Sequence, residues 1–408
     1  MRNDLFTDTD VVVIGAGVAG CAAAIALRQR GWRVAMLESA PGHARFCGEF
    51  VSGEALPSLA RLGVSGSLAA LGANPIRRLE LHGRGDRCFL LALAAGGFGL
   101  TRSTLDSALL ERAIRDGTAW FPGVQVNAVS GDCERGFWVE ALADGDCRRV
   151  FGARAVIGAH GKRSSMDRLL GRHFLRVNTD WVGVRKRYRG VDRGDAVALY
   201  LFPGGYCGAV SAEDGLTTLA LLARRRTLKD CGRRPEGLIE RARRANPALR
   251  EWLDRAMPVP DSLIAISRIS FARREPVVGG IFMTGDSAAV TAPFLGIGVA
   301  NALGSAQVCA DVVSRWLDGR IRFDQARFEY ASWWRRGSTV RALSRWASSL
   351  LCLPAGGEGM LWLLNRAPWV AEAIYRASRV SADMADQQWL KTHPWPPNGL
   401  QFRRRCTR

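Results

Sequence analysis

Lysine is nearly missing from this chain of 408 residues: only Lys162, Lys186, Lys229 and Lys391 occur, and arginine carries almost all of the positive charge. The formal net charge of +19 is spread along the whole sequence rather than gathered in one patch. No helix-turn-helix, zinc-finger or RNA-module pattern accompanies it, so nucleic-acid binding is excluded as an expectation. The basic balance leaves open attraction to an anionic membrane surface or an acidic carrier protein. Ten cysteines are present but no C-x-x-C pair, which argues against a zinc site and against a disulfide framework. Reduced thiols in a cytoplasmic protein are the simplest expectation. His43, His82, His160, His173 and His393 lack ligand spacing, so no metal is expected. Long apolar runs are also missing. The stretch 11–27 is too short and too rich in glycine and alanine to span a bilayer, and its arginines follow it, the reverse of a secretory signal. With 48% hydrophobic and 23% charged residues, the composition is that of a globular protein with a sizeable core.

Against these absences, residues 11–38 stand out. Val11-Val12-Val13-Ile14 is a β-branched run expected of a central parallel strand. Gly15, Gly17 and Gly20 follow in G-x-G-x-x-G spacing, then a helix-forming run 21–30, then a second strand 32–37 ending at Glu38. This is a complete dinucleotide-binding βαβ unit. Gly15 permits the tight turn, Gly17 lets the backbone approach a pyrophosphate, and Gly20 lets helix and strand pack closely. Phosphates sit against the helix N-terminus, and Glu38 reaches the adenosine ribose. The motif alone does not separate FAD from NAD.

A second pattern lies about 250 residues later. The run 281–283 leads into Thr284-Gly285-Asp286, then Pro293, Gly296 and Gly298, and a helix is expected from near Ile297. A strand-end acid can take ribityl hydroxyls, and a helix N-terminus can stabilise charge on a reduced flavin. The pattern resembles the second FAD motif of the superfamily that holds aromatic hydroxylases, flavin halogenases and geranylgeranyl reductases. The resemblance implies ribityl binding by Asp286, a place beside the isoalloxazine for Pro293, and Gly296 and Gly298 at the pyrimidine edge. Residues 99–109 resemble the family's arginine-bearing helix, with Arg102 beside the pyrophosphate. The expected architecture is α/β: a discontinuous Rossmann-type FAD-binding domain (1–80, 99–165, 268–320), an inserted antiparallel-sheet substrate domain (81–98, 166–267) and a helical C-terminal region (321–408).

Three places bear on the branch. The run 45–56 carries Cys47-Gly48-Glu49, similar to the geranylgeranyl-reductase-like branch and to flavin monooxygenases of bacterial polyketide pathways. Cys47 is there a pocket residue, a catalytic thiol or a plain buried cysteine. The run 199–208 resembles the reductase branch's aromatic block, with Leu201 where tryptophan is usual. Tyr200, Phe202 and Tyr206 are expected to line an apolar substrate pocket. Finally, His160 replaces the aspartate usual at that turn, which weakens mechanisms that use the acid for nicotinamide handling. The halogenase branch has an active-site lysine in its N-terminal region; here no lysine precedes Lys162, so halogenation is not expected.

These readings imply an FAD-dependent monooxygenase, using NADH or NADPH and oxygen on a hydrophobic phenolic or polyketide-like substrate of secondary metabolism. A reductase of C=C bonds in an isoprenoid or polyene lipid is the alternative, and a non-catalytic flavin-binding scaffold is the reading from another class. The basic, tryptophan-rich end of the chain suits packing on the FAD domain, a cap on the substrate pocket, or a peripheral membrane contact.

Overall fold

The computed structural model describes residues 5–42, 45–143, 147–353 and 355–378. Two sheets organise the chain. The first has eight strands, and its parallel centre runs Ile281–Met283, Cys147–Gly158, Leu5–Ile14, Val34–Glu38, Ala119–Pro122. Val11, Val12 and Val13 are wholly buried because this strand is flanked on both edges and covered on both faces. The hairpin Val124–Asp132 and Gly136–Ala143 extends the sheet through Cys147–Gly158. Helix Val18–Arg28 leaves the first strand through the glycine turn and packs beside helices Arg102–Arg115 and Gly298–Leu317.

The close approach at the turn depends on glycine. Gly15 has φ of +107°, and a Cβ there would lie 2.5 Å from the Ala159 carbonyl oxygen. A Cβ on Gly20 would lie 1.8 Å from the Gly15 carbonyl oxygen. No side chain fits in either position.

The second sheet has nine strands, antiparallel except where Ala196–Phe202 runs parallel to Asn74–His82. Its other strands include Phe50–Ser52, Cys88–Gly99, Trp181–Arg189, Gly205–Ser211, Thr217–Arg224 and Ile264–Ile269. The expected boundary at residues 80 and 81 therefore falls inside a strand. Asn74–His82 belongs to the second sheet because it pairs with Cys88–Gly99 on one side and with Ala196–Phe202 on the other. Helices Pro235–Ala245 and Pro247–Arg255 cover one face of this sheet, each opened by a proline in its first turn.

The C-terminal helices divide their work. Phe323–Arg336 packs on the first sheet, where the Tyr330 hydroxyl donates to the Met283 carbonyl at 2.6 Å and Trp334 is buried. Ser338–Leu351, Gly356–Arg366 and Pro368–Ser378 instead lie over the second sheet, packing Leu351, Leu361, Leu364 and Ala371 against Leu81, Phe89, Leu199 and Tyr206. Trp389 and Trp395 lie outside the described residues.

Gly20→Ala is expected to cost about 1–3 kcal/mol or more, the range for overpacking a fixed contact. The denaturant midpoint reads it; an unchanged midpoint would contradict the helix–strand approach described.

Candidate active site

A cavity of about 800 Å³ joins the glycine turn of the first sheet to the space between the second sheet and the C-terminal helices. Its two parts differ in chemistry, and each is set by the elements that form it.

The polar part collects residues from the ends of parallel strands. Gly15, Gly17, Glu38, Arg102, Asp286, Pro293, Gly296 and Gly298 all line the cavity; Gly20 does not, and acts one turn behind by letting the helix approach. Helices Val18–Arg28 and Gly298–Leu317 both begin here without a side-chain cap and without an acid in the first turn. Free N–H groups and the positive dipole ends thus face one space. Gly296 has φ of +68°, in the left-handed region that glycine adopts readily. A Cβ on Gly298 would meet nothing within 4 Å.

Several charges around this part are paired. Glu38 accepts from the Ala16 amide at 2.9 Å and from Arg45 at 2.9 Å. Arg45 also contacts Asp106 at 3.2 Å, and Arg102 reaches the same carboxylate at 2.9 Å. Lys162 donates to the Phe46 carbonyl at 3.1 Å and lies 3.7 Å from the Asp286 carboxylate. Buried Arg274 ties the two loops by donating to the Asp286 and Lys162 carbonyls at 2.8 and 2.6 Å, and burial pushes its guanidinium down to about 10. His160 is followed seven residues on by the acid that this turn lacks: its Nε2 lies 3.1 Å from Asp167, which Arg172 also contacts at 3.2 Å. Burial opposes ionisation of Asp167, but the His160 bond and the Arg172 charge hold its carboxyl below the ordinary value.

Cys47 sits at the junction of the two parts, half-buried and lining the same cavity as Arg102, with its Sγ accepting from the Glu49 amide at 3.3 Å. Its position is held by Glu49, which is fully buried and has φ of 61°. The Glu49 carboxylate accepts from the Arg102 amide at 3.2 Å, Arg187 at 2.5 Å, Arg185 at 3.4 Å and the Thr218 hydroxyl.

The apolar part is walled by Leu79, Leu81, Phe89, Leu91, Val197 and Leu199 of the sheet, closed by Leu343, Trp346, Met360, Leu364, Ala371 and Ile374 of the helices. Tyr206 lies in this wall, edge-on to Phe294, with its hydroxyl 3.1 Å from Ser348; burial pushes its ionisation up. Tyr200 and Phe202 do not line the cavity, which corrects the expectation for them. Leu201 pairs directly with Tyr206, and Tyr200 with Cys207. Opposite residues share a face and neighbours alternate, so Tyr200 and Phe202 pack under helices Pro235–Ala245 and Pro247–Arg255. The pocket wall on this strand is made of Val197 and Leu199.

The model of the FAD binding domain family matches residues 8–319. The chain belongs to this family. As a flavoprotein it is similar to a 1H-pyrrole-2-carbonyl-(peptidyl-carrier protein) brominase of Pseudoalteromonas luteoviolacea, 23% identical over 83% of the chain and 84% of that protein. It is also similar to a menaquinone reductase of Mycolicibacterium smegmatis, 29% identical over 44% of each. Among solved structures, a flavin-dependent brominase shares the fold with a TM-score of 0.80 at 18% identity, over 95% of this chain and 98% of that one. A probable FAD-dependent monooxygenase of Pseudomonas aeruginosa has a TM-score of 0.69 at 19% identity, over 85% and 96%. A geranylgeranyl bacteriochlorophyll reductase-like protein of Thermoplasma acidophilum has 0.73 at 19%, over 96% and 97%. These structures establish the shared fold; they span the halogenase, monooxygenase and reductase branches alike.

Several residues at the site carried no readable signal. Arg45 and Lys162 are single polar residues in loops, placed by tertiary contacts alone, and the Asp167 carboxylate behind His160 sits on the short helix Ser165–Leu169 outside the cavity lining. The helical cap was legible only as one of three readings of the tryptophan-rich end.

Two substitutions test the geometry. Leu199→Trp is expected to fill the apolar part and abolish binding of a large apolar ligand, while Phe202→Leu leaves binding within about twofold and lowers stability by about 1–2 kcal/mol. Equal effects on binding would contradict the assignment of faces. Glu49→Ala, which strands two arginines, should cost about 3–5 kcal/mol in thermal or denaturant unfolding; a neutral result would contradict its role as the junction's anchor.

Proposed function

We propose that the protein is an FAD-dependent monooxygenase that takes electrons from NADH or NADPH and hydroxylates a hydrophobic phenolic or polyketide-like molecule. One observation carries this reading: a large apolar chamber opens onto the cofactor cleft, and among the described residues its wall holds no carboxylate, histidine or lysine; its two phenols, Tyr206 and Tyr375, are bonded to Ser348 and to the Ala95 amide, and Cys47 lies at the junction. Oxygen chemistry needs a dry, positioning pocket more than it needs a general acid. Reduction of an isolated C=C bond needs a proton donor at the substrate.

The residues present fit FAD. Gly15, Gly17 and the bare N-terminus of helix Val18–Arg28 would take the pyrophosphate, with Arg102 beside it and Glu38 at the ribose. Asp286 would take the ribityl chain, and the N-terminus at Gly298 would face the ring with Pro293 and Gly296. When bound and reduced, FAD supplies the oxygen-activating chemistry. The chain's own part is to hold substrate against that ring with Leu79, Leu199, Tyr206 and Phe294, and to keep water out with the helical cap.

A specific observation also favours the reductase reading. Cys47 is a thiol at the junction of the cofactor cleft and the apolar chamber, lining the same cavity as Arg102, and would be positioned to donate a proton to a double bond held there. The menaquinone reductase match supports the same branch.

Oxygen uptake by the flavin-loaded protein during NADH or NADPH oxidation separates the readings. Oxygen consumed in step with a hydroxylated product supports the proposal. Substrate-dependent flavin reoxidation that persists without oxygen, and is lost in Cys47→Ala, overturns it in favour of the reductase. A brominated or chlorinated product on adding halide would overturn it in favour of halogenation. Glu38→Arg is expected to leave the purified protein with less than about a tenth of its flavin, since an acid contact to the ribose becomes a repulsive bulk; full flavin content would contradict the cofactor placement.

A further inference from the structure

The helices that close the apolar chamber have a second face. Trp346, Leu353, Trp362, Leu363 and Trp369 are 60%, 56%, 53%, 44% and 70% exposed, all within one run of three consecutive helices. Exposure of this many large apolar side chains in so short a stretch is not the pattern of scattered surface leucines. The inner faces of the same helices line the chamber through Leu343, Ala347, Met360, Leu364, Ala371 and Ile374. Trp346 belongs to both sets: it lines the chamber and is mostly exposed, so it stands at an opening.

We propose that helices 338–378 dock the protein on an anionic phospholipid bilayer, and that the chamber draws its apolar substrate from that bilayer past Trp346. The charge fits. The four arginines of this stretch, Arg341, Arg345, Arg366 and Arg376, outnumber its two acids; Glu358 pairs with Arg84 and Glu372 with Arg376, while Arg341 and Arg345 donate to the Trp334 and Phe271 carbonyls and keep their charge. The Arg366 guanidinium lies over the Trp362 ring at 5.8 Å, an indole–guanidinium pairing suited to the headgroup region, where one side is apolar and the other charged. No single helix among the described residues is long and apolar enough to cross a membrane. The helices flanking residue 354 together reach the hydropathy of a span, but they are bent by 113° and their inner face is occupied by the chamber. They lie in the interface rather than cross it. The exposed indoles and leucines suit the lipid interface better than an acidic carrier protein, which offers no apolar phase to receive them. The uptake route rests on the apolar-substrate reading above; the docking does not.

The test is co-sedimentation of the full chain with phosphatidylcholine vesicles, with and without about one-third phosphatidylglycerol, together with quenching of tryptophan emission by brominated acyl chains. Wild-type protein is expected to bind the anionic vesicles and to be released by salt. Combined Trp362→Ser, Leu363→Ser and Trp369→Ser, none of which lines the chamber, should weaken binding about tenfold or more while flavin content is retained. Trp138→Ser, at an exposed tryptophan of the first sheet, should not weaken it. Wild-type protein left in the supernatant, a triple variant that binds as well as wild type, or binding to an acyl carrier protein with none to vesicles, would each overturn the proposal. Vesicle binding with no turnover of any bilayer-dissolved substrate would sustain the docking and remove the uptake route.

Discussion

The arrangement of this protein depends on one buried carboxylate. Glu49 belongs to the segment that leaves the first sheet, yet its oxygens are held by Arg185, Arg187 and Thr218 of the second sheet and by the backbone at the start of helix Arg102–Arg115. A buried charge without partners is strongly unfavourable, so the two halves must meet at this point for Glu49 to be accommodated. That meeting sets the junction at which Cys47, Arg102 and the chamber come together. The strained left-handed backbone at Glu49 is the local consequence, a strain held in place by the surrounding bonds.

From the junction outward, chemistry follows architecture. Parallel strand ends and two uncapped helix N-termini make one side of the cavity a place for an anionic, dinucleotide-type group. Antiparallel strands, buried on both faces, make the other side a wall of aliphatic side chains. The helical cap completes it. One molecule thus offers a cleft suited to a dinucleotide-type cofactor on one side and a shaped apolar space on the other, and the chain belongs to the FAD binding domain family.

The parts most legible in the sequence were those written in local chemistry. Gly15, Gly17 and Gly20 announce backbone approaches that only glycine allows, and Asp286 with Pro293 closes the same site from far along the chain. The pocket wall was misread at Tyr200 and Phe202 because aromatic content was weighed above parity. Residues 202 and 205 pair across a two-residue Pro203-Gly204 turn, which sets Tyr200 opposite Cys207 and turns it away from Tyr206. That register was available from the turn length. The boundary of the second sheet was not, since the pairing of Asn74–His82 with a strand over a hundred residues later has no local mark. Nor could the Asp167 carboxylate behind His160 be read from spacing, because it depends on where a short helix docks.

The most direct measurement is a crystal structure of the purified protein with FAD bound. The account predicts the pyrophosphate at Gly15–Gly17 and the isoalloxazine at Pro293–Gly298, its edge towards Cys47 and the chamber walled by Leu199 and Tyr206. An isoalloxazine turned away from that chamber, or a chamber collapsed once FAD is in place, would contradict it.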